Sequence, residues 1–233
     1  MNLFYAPDIS SGLYTLNYEE SKHCVRVLRL SENEMIQLVD GKGGLYEARI
    51  VNTKPLCVLQ VENYLPEYEK RSFYLHIAMS PLKNADRFEW FIEKAVELGV
   101  DEITPIICER TERRSINIER LERIAVSAMK QSEKAYKPII NNSFSLKEIL
   151  VKSFSGTKLI AHCNKSNKFD LPEVYKAETN VAILIGPEGD FMENEISDAA
   201  QNGYLSVSLG KSRLRSETAA VKACAVLNFL NKL

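Results

Sequence analysis

The sequence predicts an α/β protein in which a mostly parallel sheet with flanking helices follows a small barrel-like β domain. Three observations carry this. Beyond residue 71, short apolar runs alternate with segments of 3.6-residue periodicity, the pattern of strands joined by crossover helices. Before residue 63, β signals dominate and one helical segment interrupts them. Between the two, Asn63-Tyr64-Leu65-Pro66-Glu67-Tyr68-Glu69-Lys70-Arg71 is polar, proline-bearing and aperiodic, and reads as a linker. The expected division is a first domain over 1–68 and a second over 72–233.

In the first domain, Glu19 to Leu30 reads as a helix with Cys24, Val25 and Leu28 on one face. Met35–Val39 and Tyr46–Val51 read as strands of a hairpin. Asp40-Gly41-Lys42-Gly43-Gly44 joins them, its glycines supplying positive φ. Cys57–Val61 is a further strand. In the second domain, Phe73–Met79 is an apolar strand. Phe88, Phe91, Ile92, Ala95, Val96 and Leu98 then mark a helix stopped by Gly99. Glu102–Cys108 is the next strand, and a helix runs from about Asn117 to Lys134 with Leu121, Ile124, Ala125, Ala128 and Met129 inward. Ser145-Leu146-Lys147-Glu148 is a capping-box start. Leu159–Cys163 and Val181–Ile185 are apolar strands, the second nearly uninterrupted, as when both faces are covered. Glu193–Asn202 is helical, Leu205–Leu209 a strand, and Ser216 caps a final helix ending near Lys232.

Composition narrows the function classes. No apolar segment approaches the roughly 20 residues needed to cross a bilayer, and Met1-Asn2-Leu3-Phe4-Tyr5-Ala6-Pro7-Asp8 lacks the basic head and apolar run of a signal peptide. A cytoplasmic protein without a membrane partner is expected. The five cysteines are dispersed and form no Cys-x-x-Cys pair, and the three histidines lack ligand-like spacing, so neither a disulfide framework nor a metal site is expected. The net charge is −1, with the basic residues unevenly placed: residues 1–70 carry 7 Lys+Arg against 10 Asp+Glu, and 109–138 carry 8 against 5. A mixed-charge helix with a solvated face accounts for such a stretch as well as a nucleic-acid partner does.

In sheets of this kind, ligands lie beyond the carboxyl ends of the strands. Two strand ends carry unusual loops. The first, Ile185-Gly186-Pro187-Glu188-Gly189-Asp190-Phe191, combines glycines that admit close backbone approach with a proline that stiffens the turn. The second, Leu209-Gly210-Lys211-Ser212-Arg213-Leu214-Arg215, delivers arginines beside a helix N-terminus, where free amides and the helix dipole favour anions. Either loop alone reads as a tight turn. Together, at consecutive strand ends, they point to a ligand site. A dinucleotide fingerprint is excluded on context, because the glycine cluster at 41–44 lies between two strands.

These loops, with Leu214-Arg215-Ser216-Glu217-Thr218-Ala219, resemble the RsmE type of 16S ribosomal RNA uracil-N3 methyltransferase, of the SPOUT or α/β-knot superfamily. The resemblance covers nearly the whole chain. His23-Cys24-Val25-Arg26-Val27-Leu28-Arg29 is similar to the family's H-x-x-R-V-L-R segment. Lys94-Ala95-Val96-Glu97-Leu98-Gly99-Val100 with Pro105 is similar to its K-x-x-E-L-G helix end, and Arg110 with Arg113-Arg114-Ser115 to its basic loop. Asp190 departs from the pattern, standing where a second glycine is usual. So do Arg213-Leu214, and Glu133-Lys134, where an arginine is usual.

The resemblance implies a trefoil-knotted SPOUT methyltransferase domain preceded by a PUA-like β-barrel, acting as a homodimer with S-adenosyl-L-methionine as cofactor and 16S rRNA as partner. His162, Leu184, Ile185, Gly186, Pro187, Gly189, Leu209, Gly210 and Leu214 would then hold the cofactor. Uracil N3 carries a proton that must leave as it attacks, so a cation that stabilises the anion is wanted. Arg215 is the best-placed candidate. The base is Glu188, Glu217 or solvent, although a first-turn glutamate also simply complements the helix dipole. Arg26, Arg29, Lys83, Arg87, Arg110, Arg113 and Arg114 are candidates for phosphate contacts, which position RNA without reading its sequence. The alternatives are another SPOUT activity, on a ribose 2′-hydroxyl or guanine, and a non-catalytic RNA-binding assembly factor.

Overall fold

The computed structural model of the 233-residue chain describes residues 2–164 and 168–231. It divides into two compact units: Met1–Lys70 with Val126–Lys137, and Arg71–Ala125 with Pro138–Leu233.

The first unit is a five-stranded mixed sheet of β1 (Leu3–Tyr5), β2 (Leu13–Thr15), β3 (Met35–Val39), β4 (Leu45–Asn52) and β5 (Val58–Leu65) in the order β1-β3-β4-β5-β2. Alternation along β3 and β4 sends Ile36, Leu38, Ala48 and Ile50 into a core shared with Phe4, Leu16 and Leu59. The β3–β4 hairpin turns as its glycines require: Gly41 and Gly43 have φ +76° and +102°, and Asp40 Oδ1 accepts from the amides of Lys42 and Gly44 at 2.7 and 2.9 Å. A Cβ on Gly43 would stand 2.3 Å from the Tyr136 ring, so this turn also needs glycine to let Tyr136 approach.

Two expectations fail here. The helix foreseen over Glu19–Leu30 is α1 (Tyr18–Lys22) followed by a π-helical turn over His23–Val27, in which the Leu28 amide donates to the His23 carbonyl at 3.0 Å. The foreseen linker begins three residues too early and the strand before it is foreseen too short, because β5 continues to Leu65, which pairs with Leu45. The edge strands β1 and β2, three residues each, are too short to show periodicity.

The second unit is an all-parallel sheet. Its strands are β6 (Leu75–Met79), β7 (Glu102–Ile107), β8 (Ile139–Ile140), β9 (Phe144–Ser145), β10 (Thr157–Ala161), β11 (Phe169–Asp170), β12 (Val181–Ile185) and β13 (Leu205–Ser208). The order is β11-β13-β10-β12-β6-β7-β8, with β9 beside β7. Both β6 and β12 are buried at every position, which is why their sequences are apolar runs rather than alternations. The helices are α2 (Ala85–Leu98), α3 (Ile118–Gln131), α4 (Leu146–Val151), α5 (Leu171–Val174), α6 (Glu193–Gln201) and α7 (Ser216–Leu230), with α3 passing from this unit into the first.

Local chemistry sets the helix ends. Asn84 caps α2 through the Asp86 amide, and Gly99 closes it in the left-handed region at φ +96°. Ser145 and Glu148 form the expected capping box of α4. The final helix starts differently from expectation: Arg215 occupies the N-cap position without a side-chain cap bond, and Ser216 is its first residue. Its expected end near Lys232 lies outside the described residues. Helix α7 packs on α2 and against β6 and β12. Asn228 fixes that contact by donating to the Gly99 carbonyl at 3.2 Å.

Candidate active site

Chain order and sheet order part company around β12. The chain reaches β12 between β6 and β10, then returns as β13 on the far side of β10. Ala161, Ile185 and Val207 therefore lie in register at the carboxyl ends of three adjacent strands. The loops that leave them wall one cleft of about 1050 Å3, the site that a topological switch point creates in an open α/β sheet.

Each loop contributes differently. After β10 comes His162, only 7% exposed, whose two ring nitrogens have no hydrogen-bond partner. Burial pushes its pKa below the usual histidine value, and neighbouring Lys168, which donates to the His162 carbonyl at 3.0 Å, acts in the same direction. A buried neutral imidazole with both nitrogens unpaired, on the wall of a cleft, is suited to a polar ligand atom.

After β12 comes the turn Gly186–Asp190. Gly186 is not there for a positive φ. A Cβ on it would meet the Phe191 ring at 3.0 and 3.1 Å, so the glycine lets that ring fold over the strand end. A Cβ on Gly189 would meet the Arg110 side chain at 3.1 Å, and Arg110 donates to the Gly189 carbonyl at 2.6 Å. The departure at Asp190 has a local cause. It adopts φ +65°, a conformation that glycine reaches freely and aspartate tolerates. Its carboxylate uses both oxygens, accepting from the Phe191 amide at 2.9 Å and from the Cys163 amide at 2.7 Å. The second bond ties the β12 loop to the β10 loop on the cleft wall.

After β13, Gly210 turns at φ +115°, and the loop runs through Leu214 to Arg215 at the open N-terminus of α7. In the first turn of that helix, Glu217 is 6% exposed; its Oε2 has no hydrogen-bond partner and its Oε1 lies 3.9 Å from Arg87 Nε.

The cleft thus gathers His162, Ile185, Gly186, Pro187, Glu188, Gly189, Leu209, Gly210, Leu214 and Arg215, together with Arg87 and Arg110. It does not gather Leu184. That residue is fully buried in the core with Ile160 and Phe191, and its backbone lies within strand pairings on both sides, one position short of the strand end that reaches the cleft. Glu188 is exposed and already accepts from the Lys83 amide at 3.0 Å. Of the other basic candidates in this unit, Lys83 pairs with Glu112 at 3.0 Å, Arg113 donates to the Ser115 carbonyl, and Arg114 is exposed. Arg26 and Arg29 are exposed in the first unit, in and just after its π-helical turn. Sequence reasoning missed Cys163, Lys168, Phe191 and Asn194 on the cleft wall. Phe191 alone carried a signal, as the apolar residue immediately after the turn. No group of three or more potential metal ligands occurs among the described residues, and no helix among them is long and apolar enough to cross a membrane.

Comparison with known proteins agrees with this geometry. A family model described as an RNA methyltransferase domain matches residues 69–228, and one described as an RNA methyltransferase PUA domain matches 16–62. The ribosomal RNA small subunit methyltransferase E of Rickettsia conorii is 31% identical over 88% of this chain and 84% of its own length. A crystal structure of a probable rRNA-methyltransferase from Porphyromonas gingivalis superposes with a TM-score of 0.94 at 38% identity, covering 100% of this chain and 99% of that one. The ribosomal RNA small subunit methyltransferase E of Neisseria gonorrhoeae, solved bound to S-adenosyl methionine, superposes with a TM-score of 0.89 at 31% identity over 99% and 98%. Because these matches take in the mixed sheet, the parallel sheet and the cleft together, the chain belongs to the ribosomal RNA small subunit methyltransferase E family of RNA methyltransferases.

Proposed function

We propose that this chain methylates N3 of a uracil in 16S ribosomal RNA of the small subunit, using S-adenosyl-L-methionine held in the cleft beyond β10, β12 and β13. The observation that carries the reading is the buried, doubly unpartnered His162 facing a cleft whose other walls are the two glycine-bearing turns. The residues present fit the cofactor: apolar Phe191 and Leu214, backbone groups of Gly186–Gly189 and Leu209–Gly210, and unused imidazole nitrogens. When bound, the cofactor supplies the methyl group: the S–CH3 bond breaks with its electron pair kept on sulfur, N3–CH3 forms, and the N3 proton leaves.

The protein's own task is positioning and charge. Holding the reacting atoms at roughly 3–3.5 Å supplies several kcal/mol of the barrier. Arg215, at the mouth of the cleft, stabilises the anion that N3 becomes. Glu217 is the better base than Glu188, because it is buried with a free oxygen whereas Glu188 is exposed and engaged. Arg26 and Arg29 of the first unit, and Lys83, Arg87, Arg110, Arg113 and Arg114 of the second, hold RNA phosphates.

In this reading residues 1–68 act as the RNA-gripping PUA-like domain and 72–233 as the methyltransferase domain, trefoil-knotted where the chain returns from β12 past β10. The return of β13 outside β10 supports such a path. A cytoplasmic homodimer is part of the same proposal, supported by Phe229 of α7, which is 77% exposed. Nucleoside mass spectrometry of 16S rRNA from a strain lacking this gene tests the reading: 3-methyluridine should disappear, and its persistence at the normal level would overturn it.

A further inference from the structure

Beside the cofactor cleft lies a second hollow of about 610 Å3, lined by Asp86, Arg87 and Trp90 of α2 and by residues from Arg213 to Thr218. Arg87, Arg213, Leu214 and Arg215 line both, so the two adjoin along these side chains. Arg87 and Trp90 are three residues apart on α2 and so share one face. Trp90 is the sole tryptophan of the chain and is 42% exposed, unusual for so large an aromatic side chain. Glu217 of α7 lines the same hollow; its side chain is more than nine-tenths buried and its Oε2 has no hydrogen-bond partner. A buried carboxylate oxygen without a donor is costly unless a ligand or water supplies one.

We propose that this hollow is the seat of the target base: a flipped-out pyrimidine stacks on Trp90 and presents its N3–H to the free Oε2 of Glu217. The proposal rests on the methyltransferase reading above and names the substrate end of that site. An enzyme acting on a ring nitrogen must take the base out of its stack. Such enzymes receive the base between aromatic or apolar side chains and read its Watson–Crick edge. The hollow provides each part. Trp90 offers the stacking face, which is sequence-tolerant. Glu217 offers an acceptor, which matches the N3–H of uracil and is mismatched to cytosine, whose N3 is itself an acceptor. Arg87, Arg213 and Arg215 supply positive charge around the rim for the flanking phosphates. The proton passes first to Glu217, and the in-plane lone pair it leaves on N3 then turns towards the methyl donor in the adjoining cofactor cleft. Trp90 is then a substrate-binding residue and Glu217 the base.

The test uses the full-length protein with Trp90→Ala, Trp90→Phe and Glu217→Gln, with small-subunit rRNA as substrate. Single-turnover methylation by Trp90→Ala should fall by about 10-fold or more, the size of a lost base–aromatic stack. Trp90→Phe should restore most of the rate. Calorimetry should give all three variants the wild-type affinity for S-adenosyl-L-methionine. With cofactor product bound, uridine 5′-monophosphate should quench the lone tryptophan's fluorescence, and cytidine or 3-methyluridine monophosphate should do so less. A wild-type single-turnover rate in Trp90→Ala overturns the proposal, as does a rate loss that tracks a change of oligomeric state in sedimentation, which would make Trp90 a contact for a second copy. Failure of the methyltransferase reading itself looks different: the wild-type protein would then bind no cofactor and transfer no methyl group.

Discussion

Gly186 shows how a residue can be read rightly for an incomplete reason. The sequence suggests a glycine that clears room for a ligand, yet its missing Cβ faces the Phe191 ring at 3.0 Å inside the protein. Gly186→Val should therefore do two things at once. Displacing Phe191 should cost about 1–3 kcal/mol of stability, as overpacking does, and should weaken cofactor binding by deforming the wall. Denaturant midpoints and calorimetry read the two effects separately. A stable variant that has lost only affinity would restore the simple ligand-clearance account. Asp190 is the converse case. The pattern departure is visible in the sequence, but its carboxylate bond to the Cys163 amide joins residues 27 apart in the chain and emerges only from the fold.

Among the elements, helix interiors with clear 3.6-residue periodicity were legible, and their ends only where a strong cap residue stands. The C-terminus of α2 is the clearest, since a 3.6-periodic run stops at a glycine. The structure adds why the stop is firm: at φ +96° the Gly99 carbonyl accepts from both Arg71 and Asn228, so strand-entry residue, helix and α7 meet at one carbonyl. Gly99→Ala should destabilise the protein by roughly 1–2 kcal/mol, the cost of a Cβ in the left-handed region. Urea unfolding measures this, and an unchanged midpoint would show that the cap relaxes freely. The segment after α1 has an apolar spacing that fits a regular helix and a π-helical turn with one residue inserted equally well. Periodicity over 12 residues does not separate an α-helix from one ending in a π-helical turn, in which the Leu28 amide reaches back five residues to His23.

At the scale of the molecule, two buried histidines set a pH dependence. Burial lowers the pKa of His162, and burial likewise lowers that of His76, whose Nε2 lies 2.8 Å from Thr104 Oγ1 and 3.8 Å from Glu102. The ordinary value for both is 6.5. In the unfolded chain they take up protons first as the pH falls, so stability is complete above that value and declines as pH drops towards the lowered folded-state values. The melting temperature should fall between about pH 7 and pH 5 through these groups, and His162→Gln should make the decline shallower. An equally steep decline in the variant would remove His162 from the account.

The alternation of apolar runs and periodic segments determined the α/β class, and the paired glycine turns with their arginine flank determined the region of the site. Both are local patterns, written in consecutive residues. Sheet order is not local. That β13 returns outside β10, bringing Ala161, Ile185 and Val207 into register, depends on which strands pair across more than 40 residues of chain. The same holds for Trp90 and Glu217, which stand 127 positions apart and line one hollow because α2 packs on α7. Tertiary structure also keeps Leu184 off the cleft wall, since it is buried one position short of the end of β12 and pairs with strands on both sides.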